Sequence, residues 1–153
     1  MIEILRERLQ GKRTLILGIG NPLRGDDGLG PALIGRLQGK VAAILIDGGE
    51  APENYLGPIE AAKPQVVLLV DAADLQAAPG DMALLERDQL AQTGISTHNV
   101  SLGLLAEVVH RMSGAEVLAL AVQPRFNSFG AGISEQVART LDLLEQVLQE
   151  IFA

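Results

Sequence analysis

Residues 65–70, QVVLLV, run from Gln65 to Val70 with five apolar side chains in succession and stop at Asp71. A strand places successive side chains on opposite faces, so an unbroken apolar run must be covered on both sides. Residues 13–18 (RTLILG), 41–47 (VAAILID) and 116–122 (EVLALAV) repeat the pattern. Four such segments separated by helical stretches demand a mostly parallel sheet between two layers of helices. The 153 residues, 48% of them hydrophobic, suffice for one domain spanning 1–153.

Between the strands the periodicity predicts a helix over 28–38, an irregular or weakly helical stretch over 53–62, and helices over 98–112 and 133–151. The middle helix carries apolar side chains at Val100, Leu104, Leu105, Val108 and Met112, with Ser96 or Thr97 as its cap. The last carries Ile133, Val137, Leu141, Leu144, Leu148 and Ile151 on one stripe. About ten residues separate the strand ending at Asp71 from a further strand at 82–86, too few for a crossover helix, so that fourth strand is expected antiparallel to the rest. Residues 1–12 are expected to form a short helix or a mobile lead-in.

Composition removes several classes of function. Without cysteine there are no disulfides, thiolate metal sites or cysteine nucleophiles, which fits a cytoplasmic setting. No apolar run approaches the roughly 20 residues that cross a bilayer, and the N-terminus lacks the order of a signal peptide. A net charge of −7 and only four aromatic residues argue against a nucleic-acid partner.

The chemistry concentrates where strands end. In an open α/β sheet ligands bind beyond the carboxyl ends of the strands. Asp26 and Asp27 follow the first strand, Asp47 ends the second and Asp71 the third. The turn GIGNPLRGDDGLG (18–30) resembles a phosphate loop, but Leu23 stands where a dinucleotide fingerprint needs its third glycine. Two carboxylates oppose a pyrophosphate, Arg24 is the sole nearby cation, and there is no Walker lysine, so a nucleotide is rejected. Paired carboxylates suit acid–base catalysis. His98, in Ser96-Thr97-His98-Asn99, points elsewhere: at a helix start an imidazole stays neutral and keeps a lone pair. Neutral imidazole beside carboxylates outlines a site for Zn²⁺ or Ni²⁺ rather than Ca²⁺. His110, beside Arg111 at the far end of that helix, reads as a solvated C-terminal charge.

The segments GIGNPLRGDDGLG, IDGGEAPEN, VDAADL, STHN and AVQP, in this order and spacing, resemble the hydrogenase maturation proteases, the endopeptidases that trim the large-subunit precursor of [NiFe] hydrogenases. Asp27 stands where another branch of that family has Glu, which places the resemblance with the branch processing formate-hydrogenlyase-type subunits. The resemblance implies a three-layer α/β/α sandwich with a five-stranded sheet of order 2-1-3-5-4, strand four reversed. It implies Asp27, Asp71 and His98 as metal-binding and catalytic residues, with Asp26 capping the helix or orienting the loop. It further implies that the precursor is cut at its C-terminal extension after nickel insertion and that the nickel is supplied by that precursor, though Zn could occupy the same donors. A monomer is expected. Two other readings use the same residues: a non-cleaving, nickel-dependent binding module or chaperone, and a free-standing metallohydrolase of peptides. Gln123-Pro124 is expected to shape the cleft, Asp47, Gly48 and Gly49 to line the substrate tail, and Asp74 to assist the site or merely to make a turn.

Overall fold

The computed structural model describes residues 1–97 and 100–153. Five strands, β1 (Thr14–Ile19), β2 (Ile44–Gly49), β3 (Val66–Ala72), β4 (Met82–Glu86) and β5 (Glu116–Val122), form one sheet in the order 2-1-3-5-4. Strands β1, β2, β3 and β5 are mutually parallel and β4 runs against β5. The short connection from β3 to β4 has the consequence expected of it. Every residue of β1 and β3 is buried, as their unbroken apolar runs require.

The strands' alternation divides the core. On one face Ile16, Val66, Leu68, Val70, Leu118 and Leu120 pack under α1 (Ile2–Leu9), α2 (Leu29–Leu37) and α6 (Glu135–Ile151). On the other, Leu15, Leu17, Val67, Leu69, Val117 and Ala119 pack under α3 (Leu56–Ala62), α4 (Arg87–Thr93) and α5 (Leu102–Ser113). Among the described residues no helix is long and apolar enough to cross a membrane.

Residues 2–9 take the first of the two expected forms, a short helix: α1 seats Leu5 and Leu9 fully inside the first core. Several other local expectations change. Strand β2 begins at Ile44, three residues later than its apolar run. β3 extends one residue beyond its expected end at Asp71, through Ala72. Helix α4 was not anticipated, although Glu86 and Gln89 form a reciprocal capping box at its start. Helix α5 starts at Leu102, and its cap is Ser101, whose hydroxyl accepts from the Leu104 amide at 3.0 Å. The buried face of α5 is Leu102, Leu105, Ala106 and Val109, while Leu104 and Met112 are exposed. The predicted stripe was therefore rotated. The apolar arc of this helix is wider than its buried face, and contact with β5, α3 and α4 selects the part that turns inward.

Candidate active site

The parallel strands open their carboxyl ends toward one edge, and the acids gather there. Asp27 sits in a 3-10 turn, Gly25–Gly28, between β1 and α2. Its Oδ2 accepts from the Asn21 amide at 2.8 Å, and its own amide donates to the Arg24 carbonyl. The turn closes only because glycines leave room. A Cβ on Gly20, which has φ +139°, would lie 1.8 Å from the Asp27 carbonyl oxygen. A Cβ on Gly30 would lie 2.4 Å from the Ile19 carbonyl and 2.8 Å from that of Val70. The start of α2 thus rests directly on the backbones of β1 and β3. The turn carrying Asp27 also packs against β3, the strand carrying Asp71.

Asp71 is fully buried and pairs in register with Ala121 of β5. By alternation it belongs to the face of Val67 and Leu69, the side covered by α3, α4 and α5. Burying an ionised carboxylate costs several kcal/mol, so packing alone does not select one at the end of an apolar strand. Asp27 is half-buried.

His98, the third residue of the predicted set, lies outside the described residues. On either side of it in the chain, Thr97 pairs with Val100 and Ser96 with Ser101 in a two-residue ladder leading into α5. Among the described residues no group of three His, Cys, Asp or Glu side chains is placed to hold a metal ion.

Asp26 and Asp27 have different surroundings. Asp26 is fully buried, and four donors converge on its carboxylate. Oδ2 accepts from the Arg125 amide (2.8 Å), the Phe126 amide (3.3 Å) and the Ser134 hydroxyl (2.8 Å), and Oδ1 from the Ser134 amide (2.7 Å). The Asp26 amide donates to the Phe126 carbonyl. Asp26 therefore orients a loop, but not the glycine-rich loop it belongs to: the loop is 123–134, after β5. It does not cap α2. The sequence gives no sign of Ser134 as its partner. That residue is recognisable only as the N-cap of α6, accepting from the Val137 amide.

The remaining acids make turns. Asp47 is exposed and accepts from the Gly49 amide, and Asp74 accepts from that of Gln76. Both are Asx turns. Gln123 shapes the loop after β3: its Oε1 accepts from the amides of Leu75 (2.6 Å) and Ala77 (3.3 Å). His110 is half-buried rather than solvated, its Nδ1 bonded to the Ala115 carbonyl at 2.7 Å.

Comparisons with known proteins bear on the family and the fold. The hydrogenase maturation protease family model matches residues 32–151. The hydrogenase 3 maturation protease of Escherichia coli is 32% identical over 138 residues, 88% of each chain. The crystal structure of a [NiFe] hydrogenase maturation protease from Thermococcus kodakarensis has a TM-score of 0.88 at 30% identity, covering 97% of both chains. The solution structure of an endopeptidase from E. coli has a TM-score of 0.80 at 30% identity, covering 90% of both. Likeness in sequence and in fold over most of its length, with the sheet order 2-1-3-5-4, places this chain in the hydrogenase maturation protease family.

Proposed function

We propose that the protein removes the C-terminal extension of a [NiFe] hydrogenase large-subunit precursor after nickel insertion, and that Asp27, Asp71 and His98 recognise the nickel the precursor carries. The observation that supports this most is the placement of Asp71. It is a fully buried carboxylate at the carboxyl end of an otherwise apolar strand, and the turn bearing Asp27 packs on that strand.

The donor set suits the ion. Two carboxylates and an imidazole favour a borderline divalent ion over Ca²⁺, and without thiolates they make a modest site. Such a site leaves positions for groups of the substrate. In this reading the nickel is cargo of the substrate and supplies recognition. The chain's residues do the rest. The Asn21 amide fixes the orientation of the Asp27 carboxyl group. The glycines at 20 and 30 hold the loop close to β1 and β3. Asp27 is the half-exposed member of the pair, so it is the carboxylate that solvent reaches, and it takes the proton from the water that attacks the scissile peptide.

The test is direct. Nickel-loaded precursor is incubated with the protein and the length of the large subunit is followed. Shortening by the wild type, with no shortening by folded Asp27→Asn, Asp71→Asn and His98→Gln, is expected. Full processing by any one variant removes that residue from the proposed set. Tight binding of nickel-loaded precursor without any shortening would favour the non-cleaving reading.

A further inference from the structure

We infer that Leu23, Phe126 and Phe129, together with Arg24 and Arg125, form a rigid docking platform for a segment of the precursor that presents an apolar side chain beside carboxylates. This inference rests on the proposed substrate and adds where, outside the carboxylates, that substrate is gripped.

The platform lies on two loops. Leu23 and Arg24 belong to the turn that carries Asp27. Arg125, Phe126 and Phe129 belong to the loop after β5. Leu23 is 60% exposed, Phe129 70% and Phe126 38%. The chain has only three phenylalanines and no tryptophan. Phe152 is in the core, and the other two stand in solvent on one loop. Folding gains little from the Phe129 ring left there, and clustered exposed apolar side chains mark interaction surfaces.

Each ring is accompanied by a guanidinium. Arg24 lies 5.7 Å from the Phe129 centroid and Arg125 5.9 Å from that of Phe126. Both distances are within cation–π range. In a chain of net charge −7 this places two positive charges on the rim of the apolar patch. Aromatic residues paired with arginine are the combination enriched at binding hot spots. The charge selects a partner surface bearing carboxylates.

The platform is also held in shape. The Gly130 amide donates to the Leu23 carbonyl (2.7 Å), the Gly25 amide to the Ala131 carbonyl (3.0 Å) and the Asp26 amide to the Phe126 carbonyl (3.0 Å). A Cβ on Gly25, at φ +52°, would lie 2.8 Å from the Phe126 carbonyl oxygen, so the two loops touch through backbone. The buried Asp26 carboxylate closes the join from below. A surface fixed before binding loses less entropy when it is covered. Because the same turn carries Asp27, a partner seated on the platform is delivered to the carboxylates.

The experiment compares wild type with Phe129→Ser, Leu23→Ser and Arg24→Glu, whose side chains are exposed and whose backbone bonds are retained. Shortening of nickel-loaded precursor gives KM and kcat, immobilised precursor gives Kd, and thermal unfolding checks the fold. Each variant is expected to raise KM and Kd about tenfold or more, with kcat changed less than about threefold. For Arg24→Glu the loss should shrink at high salt. Unchanged KM and Kd in Phe129→Ser and Leu23→Ser overturn the platform while leaving the protease reading intact. If only Arg24→Glu has no effect, the acidic character of the partner is overturned. If wild type binds the precursor without shortening it, the protease reading fails and the platform is judged on Kd alone. If wild type neither binds nor shortens it, both fall. A change confined to self-association, read by light scattering, makes the patch a contact between copies and overturns the inference.

Discussion

Asp26 and Asp27 are adjacent and chemically identical, yet the structure gives them unequal consequences on substitution. Consider Asp26→Asn. An amide retains one acceptor oxygen and turns the other position into a donor. Its better orientation keeps oxygen toward the Arg125 amide, the Phe126 amide and the Ser134 hydroxyl, and sets NH₂ against the Ser134 amide. That leaves a buried N–H without its acceptor, about 1–3 kcal/mol. The three remaining bonds fall from charge-assisted to neutral strength, about 0.5–1 kcal/mol each. Burying an amide is less costly than burying a carboxylate, which offsets part of the loss. The net expectation is a destabilisation of about 2–4 kcal/mol, or about 5–15 °C in Tm for a chain of this size. Asp27→Asn, by contrast, keeps an oxygen able to accept from Asn21, and should cost less than about 1 kcal/mol. Urea and thermal unfolding measure both losses. Hydrogen exchange at the amides of Arg125, Phe126 and Ser134 locates the first. If Asp26→Asn is as stable as wild type with those amides equally protected, or if Asp27→Asn is the more destabilised of the two, the division of labour between the two acids is refuted.

Further expectations follow from glycine packing and surface charge. Gly30→Ala drives a methyl into the backbone of Ile19 and Val70 and should destabilise by about 1–3 kcal/mol despite alanine's better helix propensity. Gly35→Ala, on the same helix with nothing within 4 Å, should stabilise by up to about 1 kcal/mol, and equal effects in denaturant titrations would contradict the packing at Gly30. Glu107 is held below the ordinary carboxylate range by hydrogen bonds from Arg111 and Arg87. Its pKa is lower folded than unfolded, so its contribution is complete above the unfolded value and is lost as pH falls through the folded one. The stability difference between wild type and Glu107→Gln should therefore be small at pH 7 and vanish in acid, as a pH series of unfolding curves would reveal. Finally, the isolated protein should keep its native circular dichroism and Tm in excess chelator, because the proposed nickel arrives with the substrate. A fold lost on chelation would count against that.

Much of the architecture can be read from short-range pattern. The runs at 14–19, 66–72 and 116–122 are apolar at both parities, which forces burial on both faces whatever the topology. The stripe on α6 is equally legible, because Val137, Leu141, Leu144, Leu148 and Ile151 alternate with polar residues. Helix α5 shows where this stops. Leu102, Leu104, Leu105, Val108 and Val109 spread over an apolar arc wider than the buried face, so the pattern alone does not say which part of it turns inward. The choice depends on neighbours such as α4, whose Leu90 carbonyl would lie 3.1 Å from a Cβ on Gly103. Helix α4 itself has only Leu90 buried and no periodicity to find, leaving its capping box and the left-handed Gly94 at its end as the local signs.

The sequence by itself determined that this chain is a covered, mostly parallel sheet with acids at the carboxyl ends of its strands, because periodicity and strand punctuation are local properties. Residue pattern could not separate Asp26 from Asp27, which only the family resemblance distinguished. The partners that make Asp26 structural lie about a hundred positions away, at Arg125, Phe126 and Ser134, and only the closed fold brings them within hydrogen-bonding distance. For the same reason Leu23, Phe126 and Phe129 read as scattered apolar residues until the backbones of two distant loops join and bring them onto adjoining loops. Hydrogen bonding and packing act over a few ångströms of space without regard to chain separation, so tertiary structure alone decides them.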